Sequence, residues 1–246
     1  MNAYSDAQRG GSNYSGVWPG PGMEKRKDTA GQTGSLPVSR LWVEFLSLYI
    51  ALPLLMATLL PAWSIWPALS IVTLLAVLLL QTSKGFQWRS LVKGRWLEEG
   101  RFSLLFFLLT AALCTGLVYY LLPGKLLSIP RSMPGLWLLI LLLYPLFSAL
   151  PQELIFRVLF VERYGVLFPN RVWLVGANAA CFGLAHVFYG NWIAPLLSTL
   201  GGLVFAWAYV YRRSFPYAVL LHAVAGQIIF TSGLGIFFYH GAIGQH

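Results

Sequence analysis

Charged residues are scarce in the apolar stretches of this sequence. Glu44 lies at the entrance of the first stretch, where an acid has a structural role, and four other ionisable side chains lie deeper. Glu153 and Arg157 belong to "SALPQELIFRVLFVERYG", residues 148–165, and His186 and His222 follow in later apolar stretches. Placing such a group inside a membrane costs at least about 2.5–3.5 kcal/mol, so each one is expected to serve a function. A carboxylate and two imidazoles that meet in a cavity of low dielectric constant can deprotonate a water molecule and stabilise an oxyanion.

The same side chains permit two other interpretations. Glu153 precedes Arg157 by four residues, so the two share one face of a helix and can form a structural ion pair. Two histidines and one glutamate can instead bind zinc and leave one coordination position for water. The spacing of Glu153 and Arg157 alone favours neither a catalytic nor a structural role.

The composition excludes a water-soluble domain and indicates a membrane protein. Hydrophobic residues make up 57% of the 246 positions and charged residues 10%, whereas soluble domains are about 25% charged. The net charge of +9 comes from Lys and Arg that lie between the apolar stretches, as the positive-inside bias produces. We therefore predict a lipid bilayer as the surroundings and no nucleic-acid partner.

Seven apolar stretches approach the roughly 20 residues that a transmembrane helix requires. We predict an all-α protein, a polytopic transmembrane helical bundle of about seven spans. Basic residues are concentrated before the first stretch and in alternate loops, which predicts a multi-pass protein of the inner (plasma) membrane with a cytoplasmic N-terminus. The predicted spans are 41–61, 64–82, 102–122, 135–160, 172–190, 192–211 and 215–237.

The chain divides into three predicted regions. Residues 1–40 are rich in Gly, Ser, Pro and charge and lack periodicity, which indicates a disordered cytoplasmic tail. Residues 41–134 contain the first transmembrane helices and a link, 84–101, whose Trp and Phe are mixed with Lys and Arg, as in segments at a membrane interface. Residues 135–246 contain the four ionisable side chains described above and form the predicted functional core.

Polar residues of this core resemble the motifs of the CPBP intramembrane proteases, a family that includes the CAAX prenyl endopeptidases and the abortive-infection proteins. The first family motif, Glu-Glu-x-x-x-Arg, is present here as Gln152, Glu153 and Arg157. The second motif, Phe-x-x-x-His, is matched by Phe182 and His186. Glutamine in the first position is similar to a bacterial branch of the family.

The third family motif is a His followed about four residues later by Asn or Asp, and here His222 is followed by Gly226 and Gln227. The resemblance covers about residues 135–235 and identifies 135–246 as a CPBP-like protease core. It implies a helical membrane fold and a glutamate-dependent hydrolase of peptide bonds, without a cofactor or a metal. The implied substrate is a membrane-embedded or membrane-proximal protein or peptide.

The resemblance also implies roles for individual residues. Glu153 is the expected general base, because Gln152 has no proton affinity. Arg157 would fix the charge state of Glu153, and His186 would share the water with it. His222 would donate to the developing oxyanion.

Four further residues are expected to support the substrate or the oxyanion. Gln227 carries the amide that the third motif needs, one residue later than expected, and Asn178 could supply an amide from a neighbouring helix. Gln152 and Phe182 complete this group through their places in the first and second motifs.

Two alternatives to a protease fit the same residues. A catalytically inactive pseudoprotease would bind or protect a partner, as an immunity protein does, without using Glu153 or His186. An ion-coupled transporter would use the same Glu and His side chains along a path open to both sides of the membrane.

Overall fold

The computed structural model describes residues 37–83, 85–92, 94 and 99–238, and these residues form helices and turns without a strand. Six helices are long and apolar enough to cross a membrane, which confirms the predicted all-α polytopic bundle. They are α1 Val38–Leu59, α3 Gly100–Leu121, α4 Pro134–Leu167, α5 Arg171–Tyr189, α6 Ile193–Val210 and α7 Phe215–Ser232, and a shorter apolar helix, α2, spans Ile65–Gln81. Short helical segments at Ala62–Ser64, Trp88–Val92, Ser128–Ser132 and Leu234–Phe238 lie between or after them.

Several predictions for the first 101 residues differ from the observed helices. The predicted span 64–82 is α2, whose 17 residues rise only about 26 Å, so the described residues contain six helices of spanning length and not seven. Helix α1 begins at Val38, so the end of the predicted tail is helical, whereas residues 1–36 lie outside the described part. The predicted link 84–101 is described in part, and α3 already begins at Gly100.

Helix α4 is the longest, with 34 residues, and it continues beyond the predicted end at residue 160. It contains two π-helical segments, Pro145–Ala149 and Leu154–Leu159. Pro145 and Pro151 have no backbone N–H to donate, which weakens regular α-helical bonding around them. In a π turn each N–H bonds to the carbonyl five residues back, so the side chains that follow are rotated relative to a regular α-helix.

The second π segment is the centre of the protein, because residues 155–161 are all buried. Two neighbouring helices donate hydrogen bonds to its carbonyls. The Tyr49 hydroxyl of α1 donates to the Ile155 carbonyl over 2.7 Å, and the Asn178 amide of α5 donates to the Phe156 carbonyl. These bonds fix the rotation of α4 at the point where it carries Arg157.

The end of α4 is held by an ion pair with α1. Arg163 Nη2 lies 2.7 Å from Glu44 Oε2, and Arg40 Nε lies 3.2 Å from Glu44 Oε1. The position of Arg163 at the end of an apolar stretch predicts a solvated rim, but its side chain is only 6% exposed. Glu44 therefore joins two helices.

Helices α5 and α6 pack closely because glycine lies where they cross. A Cβ at Gly202 would lie 3.1 Å from the Cα of Ala179, and one at Gly183 would overlap the side chain of Thr199. Small residues allow such close approach between membrane helices. This packing positions the end of α5, where His186 begins a short 3-10 turn.

Candidate active site

Glu153 and His222 are in direct contact in the interior of the bundle. His222 Nδ1 lies 2.9 Å from Glu153 Oε1, and the two residues are 4% and 0% exposed. A carboxylate accepts hydrogen bonds, so His222 Nδ1 carries the proton and donates it to this bond. The other ring nitrogen, Nε2, is then the basic one in the neutral imidazole.

Arg157 neutralises the other side of the same carboxylate. Its Nε lies 3.1 Å from Glu153 Oε2, and both side chains are fully buried. Its Nη1 donates to Asn178 Oδ1 over 2.6 Å, and the guanidinium lies 4.8 Å from the centroid of the Phe182 ring. Glu153 Oε1 is therefore hydrogen-bonded to His222, whereas Oε2 lies beside the Arg157 charge without a hydrogen bond to the described residues.

His186 presents the same basic nitrogen as His222. Its Nδ1 lies 2.7 Å from the carbonyl oxygen of Phe182, which can only accept, so Nδ1 is the protonated nitrogen and Nε2 is free to accept. The Phe182 ring contacts both histidines, with centroid distances of 4.7 Å to His186 and 5.4 Å to His222. Phe182 therefore helps to position both imidazoles.

Both histidines line a small cavity of about 100 Å³, which has room for more than one water molecule. Among the described side chains that line it, Gln152 is present and Glu153 is not. The Gln152 amide donates to the Ser148 hydroxyl over 2.8 Å. Glu153 thus lies behind His222 as seen from the cavity.

The two amides predicted to assist the oxyanion are engaged elsewhere. Gln227 Nε2 donates to the Leu141 carbonyl over 3.0 Å, and Asn178 bonds to Arg157 and to the Phe156 carbonyl. Neither residue is among those that line the small cavity. Their contacts stabilise helix packing around the site.

Sequence reasoning missed Tyr189 and Ser198 of the cavity wall. It also missed two polar residues of this wall on α4, Tyr144 and Ser148. With Gln152 they recur every fourth residue of α4, which places them along one helix face. This four-residue spacing of polar residues in an otherwise apolar stretch could have identified them from the sequence.

A larger cavity of about 390 Å³ adjoins the small one. The two share Ser148, Gln152, His186 and Tyr189 in their walls. Apolar residues of α1 and α2 form the far wall of the larger cavity, among them Leu52, Met56, Ala68 and Val72. In the described part of the chain, no three His, Cys, Asp or Glu side chains are grouped so that they could hold a metal ion.

Comparison with known families agrees with this arrangement. Residues 134–228 match the family model described as type II CAAX prenyl endopeptidase Rce1-like. This match supports the resemblance of the segment to the CPBP family. No curated protein and no solved structure gives a match.

The segment that matches the CPBP family model begins at α4 and ends within α7. It contains Glu153, Arg157, His186 and His222, in agreement with the extent of the resemblance predicted from the motifs. The match supports a membrane peptidase at the level of the family. Helices α1 to α3 lie outside the matched segment, and α1 and α2 contribute to the larger cavity.

The buried ion pair generates the first prediction. Replacing Glu153 with Gln leaves the Arg157 charge without a counterion, and such a change costs about 3–5 kcal/mol of stability. The double variant Glu153→Gln/Arg157→Met removes the charge as well and should recover most of that loss. Unfolding of purified protein in detergent micelles, titrated with SDS, measures both free energies.

The matched control is Arg40→Met, because the Arg40 side chain is 63% exposed and its pair should contribute at most about 1 kcal/mol. A Glu153→Gln protein as stable as the wild type would show that Arg157 does not depend on this carboxylate.

Proposed function

We propose that the chain is an intramembrane endopeptidase that hydrolyses a peptide bond in a membrane-embedded or membrane-proximal protein. One observation carries the proposal, namely the Glu153–His222 hydrogen bond beside a cavity that His186 also lines. A carboxylate that holds one imidazole nitrogen and leaves the other basic is the arrangement that serine hydrolases use to activate a nucleophile. Here the nucleophile is water.

The contacts favour a division of roles that differs from the one predicted from the sequence. Glu153 is the general base expected from the sequence, but its Oε1 is bonded to His222, its Oε2 lies beside the Arg157 charge, and it does not line the cavity. In the proposal Glu153 positions His222 and stabilises its charged form, and His222 Nε2 is the general base. In the neutral tautomer this nitrogen accepts, so it fits a base better than the predicted oxyanion donor.

The proposed reaction consumes one water molecule. His222 Nε2 takes a proton from the water as its oxygen bonds to the carbonyl carbon, and the π electrons of the carbonyl move to its oxygen. His186 Nε2 accepts the second water hydrogen bond and orients the attack. The C–N bond then breaks, the proton passes from His222 to the amine, and the products are a carboxylic acid and an amine.

A pseudoprotease is the second candidate, and Gln152 is the observation that favours it. Gln152 lines the cavity at the motif position where the family has an acid, and an amide cannot take a proton. In that case the site would bind a partner without hydrolysing it.

Peptidomics of membranes separates the two candidates. Wild-type cells should contain at least one peptide that is reduced by about 10²–10⁴-fold in His222→Gln and His186→Gln cells, since general acid–base catalysis contributes factors of this size. His246→Gln is the matched control for the substitution. Identical peptides from all strains, with folded and equally abundant variants, would favour the pseudoprotease.

We also propose that the larger cavity receives an apolar side chain of the substrate next to the scissile bond. Its continuity with the small cavity through Ser148, Gln152 and His186 supports this assignment. Burying such a side chain stabilises the bound peptide by about 25 cal/mol per Å² of apolar surface removed from water. This contribution can hold a peptide whose backbone lies at the histidines.

Filling this cavity should change substrate selection more than chemistry. Ala68→Phe adds a ring to the cavity wall and should raise KM at least about tenfold for a peptide with a large apolar side chain, because one or two lost methylene contacts suffice for that. A peptide with Ala at that position should keep its kcat. Ala112→Phe, on an exposed position of α3, is the control, and equal KM changes in both variants would contradict the assignment.

We further propose that the protein lies in the inner (plasma) membrane with its N-terminus in the cytoplasm, on the basis of the Lys and Arg distribution. An epitope added before Met1 should resist protease in intact spheroplasts and be digested once they are permeabilised. Digestion in intact spheroplasts would reverse the orientation.

A further inference from the structure

We propose that Tyr144 is a catalytic residue whose hydroxyl donates a hydrogen bond to the oxyanion formed from the substrate carbonyl. The inference rests on the proposed peptidase function and names a group that neither the motifs nor the family match assigns. Tyr144 lines the small cavity together with His186, His222 and Gln152.

The cavity needs a hydrogen-bond donor that the motif residues do not supply. In the neutral enzyme His222 and His186 use their N–H groups on Glu153 and on the Phe182 carbonyl, so both present acceptors to the cavity. The Gln152 amide donates to Ser148. A tetrahedral intermediate carries negative charge on oxygen, and stabilising it requires a donor aimed at that atom.

Gly226 leaves room for the Tyr144 ring and hydroxyl beside the small cavity. Gly226 lies one helical turn after His222, and a Cβ at this position would overlap the ring and hydroxyl of Tyr144. The Tyr144 and His222 rings are 6.1 Å apart at an angle of 74°, an edge-to-face contact. The Phe230 ring, 5.7 Å away, packs against Tyr144 as well and limits its movement.

Ser148 can direct the tyrosine proton toward the substrate. Ser148 accepts from Gln152 and lies close to the Tyr144 hydroxyl. A serine hydroxyl that accepts one bond still has a proton to donate, and donation to the Tyr144 oxygen leaves the Tyr144 proton free for another acceptor. Gln152 therefore acts on the oxyanion through Ser148 and Tyr144.

Tyr144 keeps its proton throughout the proposed step. As water attacks, the π electrons of the carbonyl move to its oxygen, and the Tyr144 O–H strengthens its hydrogen bond to that oxygen. When the C–N bond breaks, the carbonyl double bond forms again and the hydrogen bond weakens. The contribution is thus to the transition state and not to substrate binding.

The test is the kinetics of Tyr144→Phe, which retains the ring and its packing and removes the hydroxyl. The probe is a quenched fluorogenic peptide that spans the cleavage site found by the wild-type peptide comparison, assayed in detergent micelles. We expect kcat to fall by about 10²–10³-fold with KM nearly unchanged, as for the loss of one oxyanion donor. Tyr120→Phe is the matched control, since Tyr120 is 84% exposed.

An exchange of side chains tests the donor role separately from packing. Tyr144→Ala/Gly226→Asn places an amide donor where the phenol lies, and we expect it to exceed the kcat of Tyr144→Ala at least about tenfold, since a hydrogen bond of about 1.4 kcal/mol suffices for that factor. A folded double variant no faster than Tyr144→Ala would assign Tyr144 a packing role.

The outcomes distinguish the inference from the function on which it rests. A wild-type kcat in Tyr144→Phe, with the His222→Gln variant inactive, would overturn the role of Tyr144 and leave the peptidase intact. A wild-type protein that cleaves no peptide would instead remove the proposed function, and the role of Tyr144 with it.

Discussion

The structure depends on one buried charge pair, Glu153 with Arg157, in the middle of an apolar bundle. Two ions removed from water must be stabilised by their mutual attraction and by the polar groups around them. Asn178 of α5 accepts a hydrogen bond from Arg157, His222 of α7 donates one to Glu153, and the rings of Phe182 and Phe205 face the guanidinium. Glu153 Oε2, Arg157 Nε and Arg157 Nη2 make no hydrogen bond to the described residues, so the ion pair itself must stabilise them. The requirement to satisfy this pair therefore dictates how α4, α5, α6 and α7 are rotated and where they touch.

The two π segments of α4 also affect how the charge pair is placed, because they change the direction of the side chains that follow them. In a regular α-helix, Gln152 and Glu153 point about 100° apart, and the turn that follows would have a different register. With π segments on both sides, at Pro145–Ala149 and Leu154–Leu159, Glu153 contacts His222 while Gln152 borders the cavity. π segments in helices are frequent at functional sites, and the carbonyls of this one are bound by Tyr49 and Asn178.

Much of the fold follows from the sequence because hydrophobic length determines a membrane helix. The predicted spans begin within about three residues of α1 and α3 to α7, and four of the ionisable residues identified from the sequence meet in one region. The Glu153–His222 contact cannot be predicted from the sequence, because it depends on the π-helical segments of α4 and on how the helices pack. The sequence does not predict a role for Tyr144, because a single tyrosine among leucines is typical of ordinary packing. Nor does it show why position 226 is a glycine, since this depends on the contact with Tyr144 in the folded structure.

The wall of the larger cavity comes partly from α1 and α2, outside the segment that matches the family. The charge pair and both histidines lie inside that segment. The residues proposed for catalysis and many of the residues that shape the larger cavity therefore lie in different parts of the chain. Substitutions among the first 80 residues can accumulate and reshape that space while the buried charges stay balanced, so related chains can diverge in what they accept and keep the same core of α4 to α7.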